Sequence, residues 1–300
     1  MSDVRSITCT NTQDNLSITL RTTVAAPWFL ASFSGMYDTD FDVFTSENAN
    51  TDGSIYQSSR IGQRNIVLTI KNRSKHSDGR HLLARIFAKN QLGTLQYSDG
   101  IVNRKIDYYT EKADFSDQGV RSDDSGIVTA TISLICPDPY FYDLYDTSFT
   151  MSSFMPSFFF KHAFTATKEE FGYRQKEKIK VINNELSVDG TGLTIKISCN
   201  GSVKNPSITR VEDHAHIYIG TTAKPLNLVA GDVVTVTTEN GNKKVTLTHD
   251  GNTSSINQYL SEDSTFLQLS RGTNSIGYSA DEGVDSMIIG ISYRQRYTSV

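Results

Sequence analysis

The feature that most constrains this fold is a two-residue alternation of apolar and polar side chains in short runs. Leu16, Ile18 and Leu20, for example, alternate with serine and threonine. The same period recurs in three further runs, at residues 66–70, 128–134 and 193–199. Successive side chains on a strand point to opposite faces, so this period predicts half-buried sheets. The chain is therefore expected to be mainly β.

Tight turns separate the strands. Asp99-Gly100, Asn240-Gly241 and Asp250-Gly251 are pairs that accept the positive φ of a two-residue hairpin loop. Their spacing in the C-terminal half is typical of a β-sandwich.

A single segment, residues 77–89, has a helical pattern. Leu82, Leu83, Ile86 and Phe87 fall on one helical face, and Ser77 or Asp78 can cap its start. We expect this helix to cover one open sheet face.

The length of 300 residues favours two domains. The boundary is expected between residues 136 and 147, where Pro137 and Pro139 cannot continue a strand ladder. We predict domains at residues 1–140 and 147–300. Residues 35–60 are polar and rich in turn formers, which indicates a long loop or a loosely anchored hairpin. In an oligomer, such an arm often reaches a neighbouring subunit.

The composition limits the classes of partner that the chain is expected to bind. Lys and Arg total 29 against 33 Asp and Glu, a net charge of −4, which disfavours binding nucleic acid through its phosphates but suits the wall of a passage for DNA. The N-terminus lacks the apolar core of a signal peptide, and no apolar run reaches the ~20 residues of a membrane helix. We expect no membrane anchoring. Cys9, Cys136 and Cys199 are interpreted as buried free thiols, with a disulfide as the alternative.

The side chains that could support catalysis or metal binding do not form a recognisable site in the sequence. On a strand, His214 and His216 would share a face, which suits a metal ion, but no third ligand follows, so solvent-facing histidines are predicted. The adjacent carboxylates at residues 123–124 and 169–170 are interpreted as surface charge, because a glycosidase pair must face across a cleft. No nucleophile elbow or nucleotide-binding motif is present. We predict no catalytic, cofactor-binding or metal-binding residue, and no cofactor.

Two segments have alternative interpretations. The phenylalanines at positions 154, 158–160 and 164 indicate a buried strand or an exposed docking patch. Arg294 and Arg296 alternate with Tyr293 and Tyr297, which predicts a final strand with the arginines on one face. That pair is interpreted as outward-facing at a sheet edge or as a protein contact.

The order of these strand and turn motifs along the chain resembles that in the distal tail proteins of long-tailed phages that infect Gram-positive bacteria. The resemblance spans nearly the whole chain except residues 35–60 and 168–179. The residues that carry it are Gly62 to Leu68, Cys136 to Asp143, Asn205 to Ile208, Gly231-Asp232, Asn240-Gly241, Gly251-Asn252, Ser264 to Leu269, Gly272 to Asn274 and Ile291 to Tyr297.

The resemblance implies a tail-tube-like N-terminal β-sandwich with one helix and a galectin-like C-terminal β-sandwich. It implies a virion structural protein at the distal end of the tail, assembled in the host cytoplasm. Six copies would close into a ring, alone or as stacked rings, through which DNA passes without specific binding. The implied partners are the tail tube protein above the ring and a tail-associated fibre or lysin protein below it. The tape measure protein and a receptor-binding protein are further candidates.

Two other functions compete with this structural hub. A galectin-like sandwich invites carbohydrate binding to the host cell wall, but fold alone does not give function. The single tryptophan, Trp28, lies in the first domain, which leaves Tyr218, Tyr259 and Tyr278 as stacking platforms in the second. A wall hydrolase would need a carboxylate pair in a cleft, and the sequence nominates none. We therefore expect no enzymatic activity.

Overall fold

The computed structural model describes residues 5–22, 28–47, 49–50, 52–72, 78–116, 128–156, 172–176, 179–184, 187–188 and 190–300. The chain divides into two compact units. The first contains residues 1–144 and 296–300, and the second contains residues 145–295.

The first unit opens with ten strands and one helix. They are β1 (Ser6–Asn11), β2 (Leu16–Arg21), β3 (Trp28–Ser34), β4 (Phe41–Glu47), β5 (Ser54–Ile61), β6 (Arg64–Asn72), α1 (Asp78–Ile86), β7 (Leu92–Ser98), β8 (Asn103–Ser116), β9 (Val128–Cys136) and β10 (Phe141–Asp143).

The second unit follows, and the chain then returns to the first with a short last strand. The strands are β11 (Thr147–Thr150), β12 (Ser152–Pro156), β13 (Gly172–Lys176), β14 (Ile179–Asn184), β15 (Leu193–Cys199), β16 (Val203–Arg210), β17 (His216–Tyr218), β18 (Asn227–Leu228), β19 (Val233–Thr237), β20 (Lys244–His249), β21 (Asn252–Ser255), β22 (Gly272–Glu282), β23 (Met287–Tyr293) and β24 (Arg296–Tyr297). Asn257–Tyr259 and Val284–Ser286 form single 3-10 turns.

The main sheet of the first unit closes on itself. Its order is β24-β10-β8-β7-β1-β2-β3-β6-β9, and β9 also pairs with β8. The 14 residues of β8 make this possible, because its first half pairs with β7 and its second half with β9. Closure leaves few unpaired strand edges, which would otherwise promote aggregation. The β-sandwich expected for this unit is therefore built from one continuous sheet that closes through the β8–β9 pairing.

Alternate residues of these strands fill the interior, as the period-2 pattern predicts. Ile66, Leu68 and Ile70 on β6 are all fully buried. Helix α1 contacts β1 and β2, and its Leu83 and Ile86 side chains join the same core. The prediction of a single helix packed on a sheet is confirmed in the described chain, and the helix occupies residues 78–86 of the expected 77–89.

The second unit is a sandwich. A six-stranded sheet has the order β11-β23-β15-β19-β20-β21, and a five-stranded sheet is built from β14-β22-β16-β17 with β18 beside β16. Both sheets contribute to one core, for example Ile195 and Ile289 from the first and Ile208 and Ile276 from the second. Strands β12 and β13 pair in a separate two-stranded antiparallel sheet. The mainly β fold class is thus confirmed.

The C-terminal segment differs from its prediction. Strand β23 ends at Tyr293, residues 294–295 leave the ladder, and β24 pairs with β10 in the first unit. The prediction of one final strand with both arginines on one face is therefore wrong. Arg294 instead binds Asp146 at 2.6 Å. The Arg296 guanidinium lies 3.8 Å from the centre of the Tyr140 ring.

Candidate assembly surface

Strands β4 and β5 form a hairpin that we call the arm, residues 41–61. Within the described chain they pair only with each other, from Phe41 opposite Ile61 to Glu47 opposite Ser54. One bulge on β5 interrupts the register. Of the two interpretations of residues 35–60, the structure selects the hairpin.

The arm is apolar although it is exposed. Phe41, Val43, Phe44, Ile55 and Tyr56 are between 44% and 61% exposed. An isolated two-stranded hairpin is at best marginally stable in water, and clusters of exposed apolar residues commonly mark contact sites. The arm therefore has the properties of a segment that is covered by another protein surface.

The register assigns the apolar residues to both faces of the arm. Phe41 and Val43 alternate along β4, and Tyr56 lies opposite Thr45, so these three side chains share one face. Phe44 lies on the other face, where the Arg60 guanidinium is 5.6 Å from its ring centre and 3.0 Å from Asp42. The first face is uncharged at its centre and is the better contact surface.

A buried cation fixes the root of the arm. Arg64, only 6% exposed, begins the strand that follows the arm. Its Nε donates to Pro139 O at 2.8 Å, and Nη1 donates to Gly35 O at 2.7 Å and Asp38 O at 2.6 Å. Its Nη2 donates to Thr39 Oγ1 at 3.3 Å and to Thr298 O.

All five N–H groups of this guanidinium thus have acceptors, although no carboxylate is among them. Burial lowers the pKa of the Arg64 side chain from its ordinary value, yet arginine stays charged in proteins. Gly35 makes the arrangement possible, because it has φ +81° and a Cβ there would lie 2.0 Å from Asn65 O.

An open cleft of about 690 Å³ lies beside the arm root. Asp38, Asp40, Asp42, Arg60 and Arg64 supply its charged groups. Across the described residues, no group of three or more His, Cys, Asp or Glu side chains is arranged to hold a metal ion. The cleft therefore has charged and polar walls, and its carboxylates belong to no metal-binding group among the described residues.

The histidine pair does not share a strand face. His214 lies in the turn before β17 with φ 57°, and only His216 lies on the strand. His216 Nδ1 contacts His214 O at 2.9 Å, so this ring nitrogen already has a partner. His214 is exposed and His216 is half-buried.

The tyrosines proposed as sugar platforms have different environments. Tyr278 is buried, which removes it as a platform. Tyr259 is half-buried beneath Lys224, whose Nζ lies 4.9 Å from the ring centre. Tyr218 is exposed, with the His216 ring 4.5 Å away. Trp28 packs against the core of the first unit.

The three cysteines are free and buried, as interpreted from their spacing. Burial raises the pKa of Cys9 and Cys136 to about 12 and that of Cys199 to about 11. The thiolate is the reactive form, so these thiols are poor nucleophiles at neutral pH.

Several predicted features fall outside the described residues. These are the acidic pairs at residues 123–124 and 169–170 and the phenylalanines at 158–160 and 164; for Phe154, only the backbone is described. A search of the described helices finds none with the length and apolarity required to cross a membrane.

A hydrogen bond between His249 and Asp232 joins β20 to the turn before β19. The ring of His249 donates from Nδ1 to the buried Oδ1 of Asp232, whose Oδ2 accepts from the Val229 amide at 2.9 Å. The hydrogen bond to Asp232 and the charges of Asp250 and Asp232 raise the pKa of His249. A raised folded-state pKa means that the protonated form stabilises the fold.

We therefore expect the His249 contribution to be present below the ordinary histidine pKa of about 6.5 and lost as pH rises through the higher folded value. Urea unfolding of wild-type protein and His249→Asn at several pH values measures it. The stability difference between them should shrink from about pH 6 to about pH 8. His81→Gln, which replaces a histidine of α1, serves as the control. A stability difference between wild type and His249→Asn that does not change with pH would contradict the proposed role of His249.

Two family models match the chain, one to each unit. The model described as "Phage tail protein RIFT-related domain" matches residues 29–136. The model described as "Siphovirus-type tail component, C-terminal domain" matches residues 189–297. No curated protein matches the sequence.

Solved structures share the fold across the full length. The crystal structure of SPP1 Dit (gp 19.1), titled a paradigm of the hub adsorption apparatus in phages infecting Gram-positive bacteria, has a TM-score of 0.64 and 12% identity. The match covers 97% of this chain and 99% of that one. The phage P2 baseplate activated with Ca has a TM-score of 0.53 and 8% identity, covering 99% and 100%. The same baseplate with Sr gives 0.52 and 8% over the same shares.

The closed sheet with its arm, followed by the sandwich, corresponds to a siphovirus-type tail component. More specifically, the chain belongs to the phage distal tail protein family, as its sequence motifs indicated.

Proposed function

We propose that the protein is a structural component of the virion, located at the distal end of the tail, where it joins the tail tube to the baseplate or tail tip. Both family models describe tail components, and similar structures come from a hub adsorption apparatus and a baseplate. The proposed partners are the tail tube protein on one side and a tail-associated fibre or lysin protein on the other, with the tape measure and receptor-binding proteins as further candidates.

The finer proposal is a ring of six copies. The observation that carries it is the arm, which exposes a cluster of apolar residues that belong to neither core cluster. An arm that docks on a different surface of the next subunit makes a heterologous interface, and such interfaces close into rings when the rotation permits. The ring would surround the passage for DNA, and the net charge of −4 agrees with a wall that does not hold it.

Sedimentation equilibrium of the full chain tests the ring. We expect a species of six, or twice six, times the chain mass of 33.3 kDa, alone or after addition of purified tail tube protein. The tail tube protein is included because the ring can require its neighbour to assemble. A strict monomer at high concentration under both conditions would contradict the ring.

Carbohydrate binding is the second candidate, and the exposed Tyr218 beside His216 is the observation that favours it. Aromatic rings commonly supply the platform for sugar faces. We expect no retention of the full chain on purified host-wall polysaccharide. Tyr145→Ala is the control, because it also removes an exposed tyrosine. Retention that disappears in Tyr218→Ala but persists in Tyr145→Ala would instead establish this function.

A further inference from the structure

The C-terminal residues of the chain lie at the root of the arm. We call residues 296–300 the strap. Its β24 pairs with β10, with Phe141 opposite Tyr297. Beyond β24, the strap reaches the segment that leads into the arm, where the Val300 amide donates to Met36 O at 3.3 Å.

Thr298 is the centre of this contact. Its carbonyl oxygen accepts from Thr39 Oγ1 at 2.8 Å and from Arg64 Nη2. Thr39 precedes the arm and Arg64 follows it, so one strap carbonyl joins the segments at both ends of the hairpin. Thr39 Oγ1 also accepts from Arg64, which completes a triangle of hydrogen bonds.

The strap is itself held from the other side. The Arg104 guanidinium lies 3.6 Å from the centre of the Tyr297 ring and donates to Ser299 O. Tyr297 Oη lies 3.3 Å from Asp143 Oδ2. Each strap residue from Tyr297 to Val300 therefore has a specific partner in the first unit.

We propose that the strap is the positioning element of the arm: it fixes the direction in which the hairpin leaves the first unit. The arm has no strand pairing to the closed sheet in the described chain, so its direction depends on its two root segments. Those segments are joined to each other by Arg64, and Thr298 locks both. The proposal deepens the proposed ring, because an arm held in one direction loses less conformational entropy when it docks.

Distances between two spin labels measure this directly. One nitroxide is attached at Asn50→Cys in the arm's connection and one at Lys89→Cys after α1, both exposed positions. The native thiols are buried and have raised pKa values, so labelling falls on the introduced cysteines. Dilution into excess unlabelled protein excludes distances between subunits.

In the otherwise unaltered protein, we expect one narrow distance distribution. Deletion of residues 296–300 should broaden it, and Thr39→Val should broaden it to a smaller extent because it removes only the Thr39 bonds. Thr45→Val, a matched change on the arm outside the strap contact, should leave it unchanged. The fluorescence of Trp28 verifies that the first unit remains folded, and Thr39→Val keeps the test valid if the deletion does not fold.

Equally narrow distributions in the folded variants would overturn the proposal. The distance distribution can be measured whether or not a ring forms. If it broadens in the variants while neither they nor the wild type form an oligomer, the strap holds the arm and the ring proposal is wrong. If the ring forms and the distribution stays narrow without the strap, the ring stands and the strap proposal fails.

Discussion

Replacing Arg64 with methionine should reduce the free energy of unfolding of the first unit by about 3–5 kcal/mol, because four carbonyls lose a charged donor and each acceptor left without a partner costs about 1–3 kcal/mol. The substitution keeps an unbranched side chain but removes five donors. The carbonyls of Gly35, Asp38, Pro139 and Thr298 would then lose this partner in a partly buried site. Urea unfolding followed by tryptophan fluorescence is selective here, because the single tryptophan, Trp28, packs in the first unit.

Arg60→Met is the matched control. Arg60 is exposed and forms an ion pair with Asp42, a contact expected to contribute less than about 1 kcal/mol. Arg64→Lys should fall near Arg64→Met, since an ammonium group has three donors and cannot reproduce the planar fork. Equal stabilities for the Arg60 and Arg64 methionine variants would show that the buried guanidinium is not the anchor we describe.

Local patterns in the sequence predict much of this fold. The alternation at residues 66–70 becomes β6, and the Asn240-Gly241 pair becomes the turn between β19 and β20. The apolar stripe of α1 places Leu83 and Ile86 in the core. These features depend on side-chain period and turn chemistry within a few residues, which is why sequence alone predicts them.

Long-range pairing could not be predicted in the same way. The β8–β9 contact that closes the sheet depends on strands crossing in space, and β24 joins β10 across more than half of the chain. Period-2 alternation determines which face is buried but not which strand is the neighbour. Residues 294–295 also leave the strand pairing between β23 and β24, and this interruption places Arg294 and Arg296 outside a common strand.

The structure of the arm and of its root could not be predicted from local patterns either. Phe41, Val43 and Phe44 give β4 a strand-like signal, but the surrounding polar and turn-forming residues favoured a loop as strongly as a hairpin. Arg64 lies within the Gly62 to Leu68 motif, but no local pattern there indicates a buried guanidinium. Its role depends on four backbone carbonyls from separated segments, and carbonyl positions leave no signature in side-chain composition.

The triple substitution Phe41→Ser, Val43→Ser and Tyr56→Ser should abolish ring assembly while leaving the isolated subunit folded. These side chains share one face of the arm and are largely exposed, so their loss costs the subunit core almost nothing. Burying one large apolar side chain contributes about 1.5–3 kcal/mol. Removing three partly covered ones should weaken each subunit contact by about 3–6 kcal/mol, at least a hundredfold in association constant. Sedimentation equilibrium should show monomers where the wild type shows rings.

A matched triple variant separates this effect from a general loss of exposed apolar surface. Ile101→Ser, Tyr145→Ser and Val229→Ser remove three exposed apolar side chains outside the arm. We expect this variant to assemble like the wild type, with the same unfolding midpoint as the arm variant. If the arm variant still forms rings, the apolar face of the arm does not make the subunit contact. If both variants fail to assemble, the contact is spread over the surface, and the arm is not its main determinant.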